Sequence, residues 1–541
     1  MLNIMKKLSL LLVVLVALAA CASEGSSDSE EGEENQSEES AEGKTQEKET
    51  VGNNEELVID LDSTPSSLDP HAANDGISLY VMTNIYDTLV RMNQDLELEP
   101  SLAKSYEQVN ETTWEFKLRE DVTFHDGEPF NAEVVKMNLD RVLDPEVGAT
   151  LSFLFDMIDE VEVVDDYTVQ IHTQYPFSAL PAHLAHPGGH MISPKSIEAD
   201  YEGMENGENP LTAVNENPVG TGYYELEEHN SGENVILTKN EDYWGEKPNF
   251  ERIVFKAVPE ESSRVSELLT DEADIIYPVN TDKVSSINES EEGRVKESES
   301  ASMSYLGFNV EKEPLDNREV RRAINMAIDK EALVEGLMSG VPLPAAGPLA
   351  PTVNGYSDEL ELIEHNVEKA KEILEEEGYE EGFSLDVYVY DKTTADTAVY
   401  IQSELEELNI ELNIEQLDIG AYLDLTAQGE HDMLVGSWGT VTLDADYGLY
   451  PMFHSENAGS AGNRSFFSHD EVDQLLEEAR RSNDEEKRLE LYEEAQQIII
   501  DESPIVPLYH SVLLAGLSED IEGFYQYPSS FPYLKDVKKS E

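Results

Sequence analysis

Leu412-Asn413-Ile414 and Met433-Leu434-Val435-Gly436 are short apolar runs, and Val367 to Glu377 and Asp396 to Leu408 carry apolar residues at helical spacing. Short apolar runs of this kind read as strands and the longer periodic segments as helices. Strands interleaved with helices point to a sheet covered by helices, an α/β fold. Gly378 stands directly after the first helix, where a left-handed residue closes the last turn without a Cβ penalty.

The alternation extends towards the N-terminus. Leu57-Val58-Ile59-Asp60-Leu61 reads as a buried strand, and Thr64 to Pro70 as the loop leaving it. Ile77 to Leu89 has helical spacing, Trp114 to Leu118 alternates as a half-exposed strand, and Val122 to Gly127 ends in a turn. Asn131 is placed to N-cap a helix running through Val142. The roughly 480 residues from Glu56 onward contain no repeat and no second linker, and they exceed one hydrophobic core. At least two lobes are expected.

The start of the chain is of another kind. Lys6 and Lys7 precede the uncharged run Leu8 to Ala20, which is too short for a permanent membrane helix and ends in small residues. A secretory signal peptide over residues 1–20 fits, cut before Cys21. Leu18-Ala19-Ala20-Cys21 also resembles the lipobox of bacterial lipoproteins, in which the cysteine is lipidated. Cys21 is the one cysteine of 541 residues, so no intramolecular disulfide can form. Residues 21–55 read as a lipidated cysteine followed by a solvated stalk. Between Glu24 and Glu49 eleven acids face two lysines, a composition that cannot bury enough apolar area to fold. The expected location is the outer face of the cytoplasmic membrane, held through the lipid alone.

With 115 acidic and 35 basic side chains the formal net charge is -80. Such a surface repels phosphate backbones, so nucleic acid is not an expected partner. The excess is spread along the chain and marks no site.

A set of motifs stands in order along the body. Ser67-Leu68-Asp69-Pro70, Glu99-Pro100-Ser101-Leu102-Ala103, Phe116-Lys117-Leu118-Arg119 and Phe124-His125-Asp126-Gly127 with Phe130-Asn131-Ala132 come first. Asn217-Pro218-Val219-Gly220-Thr221-Gly222, Asn240 to Gly245, Gly307-Phe308-Asn309 and Val320 to Asp329 follow. Together they resemble the family 5 extracellular solute-binding proteins, the peptide- and nickel-binding components of ABC importers, over roughly residues 56–535. The resemblance implies a two-lobed fold of the large periplasmic-binding-protein type with a hinge between the lobes. Lobe I would comprise residues 56–305, with an inserted subdomain at about 86–214, and regain residues 506–541; lobe II would be 306–505. It also implies a monomer that delivers solute to permease subunits driven by cytoplasmic ATPases.

Catalytic and metal readings find less support. No Gly-x-Ser-x-Gly, Ser-x-x-Lys or His-Glu-x-x-His is present, so no enzyme is expected and no cofactor is implied. His183, His186 and His190 have metal-like spacing, but Pro187, Gly188 and Gly189 break any helix between them. They are the sole support for the alternative of a nickel- or metallophore-binding protein.

The candidate binding segment is Gly436-Ser437-Trp438-Gly439 through Asp444-Ala445-Asp446-Tyr447. An indole supplies an apolar wall and a partly desolvated carboxylate a charge-assisted bond to an ammonium group. In the peptide-binding relatives an acid after this tryptophan holds the peptide ammonium. The resemblance places that role on Asp446, with Asp444 as fallback and Tyr447 beside them. Arg464 is the candidate partner of a ligand carboxylate. The long tryptophan loop, with Gly347 to Pro351 upstream, looks most like the branch that binds short peptides and glutathione.

Overall fold

The computed structural model describes residues 55–73, 75–459 and 462–540. Cys21, the apolar run before it and nearly all of the acidic stretch lie outside them. No described helix is long and apolar enough to cross a membrane.

The fold is a two-lobed α/β structure built on one long mixed sheet. At one end Glu56–Leu61 pairs in parallel with Arg252–Ala257 and Ile275–Tyr277, and Asn234–Lys239 and Tyr224–Asn230 extend the edge. At the other end Phe383–Val389 pairs in parallel with Ile410–Gln416 and Met433–Gly439. Parallel strands need covered faces, and each end has its own core. Leu57, Ile59, Tyr80 and Phe255 fill the first. Leu306, Ile324, Val387 and Leu405 fill the second.

Two long strands join the ends. Gly293–Phe308 and Ile505–Ser518 run antiparallel from Gly293 opposite Ser518 to Gly307 opposite Ile505. Their register shifts between Glu299 and Met303 and again between Ser304 and Tyr305. A third body lies within the segment between the first helix and Tyr224–Asn230. Ala103–Asn110, Thr113–Leu118, Thr168–Thr173 and Ile158–Asp165 form an antiparallel sheet in that order, over a core that includes Phe116, Leu139 and Ile171.

Local chemistry explains the element ends. Asn131 caps Ala132–Leu143 by accepting from the Val134 amide at 3.2 Å. Gly378, at φ +83°, ends Val367–Glu376; its own N–H donates to Glu375 and that of Tyr379 to Leu374, the paired bonds of a Schellman turn. The helix read over Ile77 to Leu89 is only Gly76–Met82. Asn84 ends it, because its side-chain amide takes the carbonyls of Tyr80 and Val81 at 3.0 and 3.1 Å. Gly220 and Gly222 then back onto this turn so closely that an added Cβ would lie 2.1 and 2.5 Å from backbone atoms there.

One buried ion network ties the subdomain to the first lobe. Arg141, fully buried on Ala132–Leu143, donates to both oxygens of Asp69 at 3.2 and 2.6 Å and to Asp200 at 2.8 Å. It also donates to His71 Nδ1 at 2.8 Å. Burial disfavours the guanidinium charge, but Asp69 and Asp200 more than offset it, so Arg141 holds its proton more tightly than usual.

Candidate functional site

Met433–Gly439 ends in Trp438 and Gly439, and the turn Thr440 to Leu443 leads into Ala445–Phe453. Asp444 caps that helix by accepting from the Asp446 amide at 2.9 Å, and its carboxylate also pairs with Arg488. Trp438 Nε1 donates to the Tyr447 carbonyl at 3.1 Å, and the two rings lie 5.6 Å apart. Tyr447 in turn stacks on Phe153 of the subdomain at 6.1 Å.

Asp446 is 2% exposed. Its Oδ1 accepts from the Tyr492 hydroxyl at 3.2 Å and lies 3.0 Å from Arg480 Nε; its Oδ2 lies 3.3 Å from His183 Nε2. Burial would raise its pKa, but Arg480, His183 and Arg488 hold it at about 2. His183 is itself oriented by donation from Nδ1 to the Leu154 carbonyl at 2.8 Å. The predicted acidic pair is thus brought together with Trp438 and Tyr447, but protein cations already occupy its carboxylates. Arg464 turns elsewhere, donating to the Leu423 carbonyl and Thr426 Oγ1, both at 2.7 Å.

The larger of two cavities here lies next to this cluster, with about 830 Å3 of empty space that includes the open solvent at its mouth; a smaller one of about 320 Å3 is lined by Asp446 itself with His183, Tyr447 and Arg480. The walls of the larger include Tyr86 to Met92 after the first helix, Ser101, the segment Ala182 to His190, Tyr223 and Tyr243, the turn Val441 to Leu443 beyond Trp438, and Tyr527 to Lys535 near the C-terminus. Three buried polar atoms on its lining, Ser101 Oγ, His190 Nδ1 and Thr442 Oγ1, have no hydrogen-bond partner among the described residues. A buried polar atom without a partner is costly and uncommon, and all three belong to residues that line the cavity.

Charges line the cavity as well. Asp87 Oδ2 accepts from Thr221 Oγ1 at 2.9 Å and from Trp244 Nε1 at 3.0 Å. Burial pushes its pKa up to about 6 against those bonds and the nearby Arg91. Arg91 donates from Nε to Glu99 at 2.7 Å while its side chain stays 41% exposed. Lys535 has Glu246 and Asp536 as its carboxylate neighbours, at 3.6 and 4.0 Å.

The three histidines do not converge. His183 faces Asp446, His186 Nδ1 accepts from the Gly188 amide, and His190 stacks on Tyr86 at 5.7 Å. Burial pushes both His186 and His190 down to about 3. Among the described residues no group of three or more His, Cys, Asp or Glu is placed to hold a metal ion.

Asp87, Arg91 and Lys535 were not singled out by the sequence reading. Two signals pointed towards them. Cations are scarce in this chain, and Phe524, Tyr525, Tyr527, Phe531 and Tyr533 crowd five aromatics into ten residues just before Lys535.

Residues 97–460 match the bacterial extracellular solute-binding proteins, family 5 middle. The glutathione-binding protein GsiB of Escherichia coli K12 is 32% identical over 485 residues, covering 88% of this chain and 93% of that protein. The periplasmic binding protein DppA from Helicobacter pylori, solved with the peptide STSA, is 29% identical with a TM-score of 0.81, covering 90% of this chain and 98% of its own. NikZ from Campylobacter jejuni, solved with Ni(L-His), shares the fold at a TM-score of 0.79 and 22% identity, covering 90% of this chain and 99% of its own.

Proposed function

The chain belongs to the bacterial extracellular solute-binding proteins of family 5, and we propose that it captures short peptides, or peptide-like solutes such as glutathione, in the cavity beside Trp438. It would then deliver them to ABC permease subunits driven by cytoplasmic ATPases. The observation that carries this reading is one aromatic-walled cavity that holds Asp87 together with Arg91 and Lys535. A peptide has donors, acceptors and both charges at its ends, and a cavity lined this way can satisfy all of them. The relatedness to GsiB and to peptide-bound DppA supports the same ligand class.

In this reading Val441 to Leu443, not Asp446, form the contact wall of the second lobe. Asp446, with Asp444, Trp438 and Tyr447 around it, shapes that wall from behind. The chain works as a monomer, and the register break between Glu299 and Met303 serves as the hinge. Native mass spectrometry of the protein as purified tests the function. A retained mass of peptide size, lost after unfolding and refolding, is the expected result. A metal adduct instead would favour the nickel or metallophore reading.

Cys21 is the proposed lipid attachment point. More than one acyl chain is needed for lasting attachment, and no described helix offers an alternative. Cys21→Ala is expected to move the folded protein from the membrane fraction to the soluble one. Retention after a high-salt wash would overturn the anchor.

A further inference from the structure

The chain carries 35 basic side chains against 115 acidic ones, yet two of the basic ones line the cavity and a third lines a recess beside it. Arg91 and Lys535 line the cavity itself, and a recess that adjoins it is lined by Arg91, Lys535 and Arg119 together with Trp244. The Arg119 guanidinium sits over the Trp244 ring, 4.5 Å from its centroid, and donates to the Ser101 carbonyl at 2.7 Å. Among the described residues Arg119 forms no ion pair.

These cations are incompletely neutralised. A guanidinium has five N–H donors, and Arg91 uses its Nε on Glu99 while much of the side chain stays open. Lys535 is 12% exposed, but its Glu246 partner is 91% exposed and stands 3.6 Å away, beyond a close charged hydrogen bond. In a molecule this acidic, cations left short of carboxylates are not explained by surface pairing. The opposite charge in the cavity is Asp87, whose hydrogen-bond donors Thr221 and Trp244 are both neutral.

We infer that Arg91 and Lys535, backed by Arg119, form a carboxylate subsite facing the amine-accepting Asp87, and that the preferred solute carries more carboxylates than amines. The inference rests on the peptide reading above and narrows it to acidic short peptides. Long-range repulsion from the acidic surface does not prevent this. At physiological salt charges farther than about 8 Å are screened, so the local cations decide the bound state.

Calorimetry on the full chain with three probes tests it. Glutathione has two carboxylates and one ammonium, its glycine ethyl ester has lost one carboxylate, and Met-Leu has one of each. Wild type is expected to bind glutathione at least ten-fold more tightly than the ester. Arg91→Gln and Lys535→Gln should each weaken glutathione at least ten-fold and shrink the preference over the ester towards unity, while Met-Leu changes less. Because the two residues sit at opposite ends of the chain, misfolding of one variant, seen as a lost cooperative melt, leaves the other as the test. If wild type binds none of the probes, the peptide reading fails and the subsite with it. If wild type binds any of them but neither folded variant alters the glutathione-to-ester ratio, the subsite alone is overturned.

Discussion

Arg141→Met is expected to destabilise the folded body by about 3–5 kcal/mol, because it leaves two buried carboxylates facing each other with their shared cation gone. Arg141 and Asp69 are 0% exposed and Asp200 is 2% exposed, so solvent cannot take over the lost role. The network also joins three separate stretches, the loop at Asp69, the helix bearing Arg141 and the helix bearing Asp200. Its loss should therefore loosen the subsidiary sheet from the first lobe before the rest melts. Urea titration followed by tryptophan fluorescence reads this, since Trp114 and Trp244 both sit in this half of the protein. The triple change Arg141→Met with Asp69→Leu and Asp200→Leu should recover part of the loss by removing the stranded charges. Recovery stays partial because the amides of His71, Leu211 and Ala213 lose their acceptors. An equal loss for Lys392→Ala, whose pair with Asp396 is exposed, would show that burial is not the governing factor.

Asp446→Asn is the second large effect, with an expected cost of about 2–5 kcal/mol from leaving the buried Arg480 without its countercharge. Arg480 cannot relax into water easily, since it is 6% exposed with its guanidinium 3.8 Å from the centroid of the Tyr450 ring. The pH dependence follows in sign. A carboxylate held at about 2 in the folded state, against an ordinary 3.8, stabilises the fold above pH 3.8, and that share is lost as pH falls towards 2. His186 and His190, pushed from 6.5 to about 3, contribute above pH 6.5 and lose their share as pH falls towards 3. Acid titration of stability should thus begin below pH 6.5 in both proteins. Between about pH 4 and 2 the wild type should lose more stability than the variant, because only it has the Asp446 carboxylate to protonate. N-acetylation of a peptide probe should weaken wild type and Asp446→Asn alike if Asp446 acts behind the cavity wall. Loss of that discrimination in the variant would assign the ammonium contact to Asp446.

The architecture could be read from the chain because it is written in local signals. Asn131 and Gly378 act as cap and terminator through bonds to residues at most four positions away. The apolar runs at Leu57 and Met433 are strands because both faces are covered. The overshoot of the first helix also has a local cause, the Asn84 side chain, which spacing of apolar residues does not register. The site was less legible for a different reason. Trp438, Asp444 and Asp446 form a segment that looks ready for a ligand, but whether a carboxylate is free depends on distant residues. Arg480, His183 and Arg488 reach it only through tertiary folding. Arg464 likewise depends on tertiary folding, which turns one of its terminal nitrogens onto the helix holding Leu423 and Thr426. Arg91 and Lys535 come from opposite ends of the chain, and no spacing rule links them.

The strand Ile505–Ser518 has a consequence for how the protein is made. It is the element through which the two ends of the long sheet hydrogen-bond to one another, and it enters the chain almost last. During synthesis the parallel strands of each lobe can begin to pair, but the sheet stays in two pieces until the final stretch has emerged. Contacts between residues so far apart in sequence form slowly, because loop closure must come first. A nascent chain therefore remains long without its finished tertiary structure.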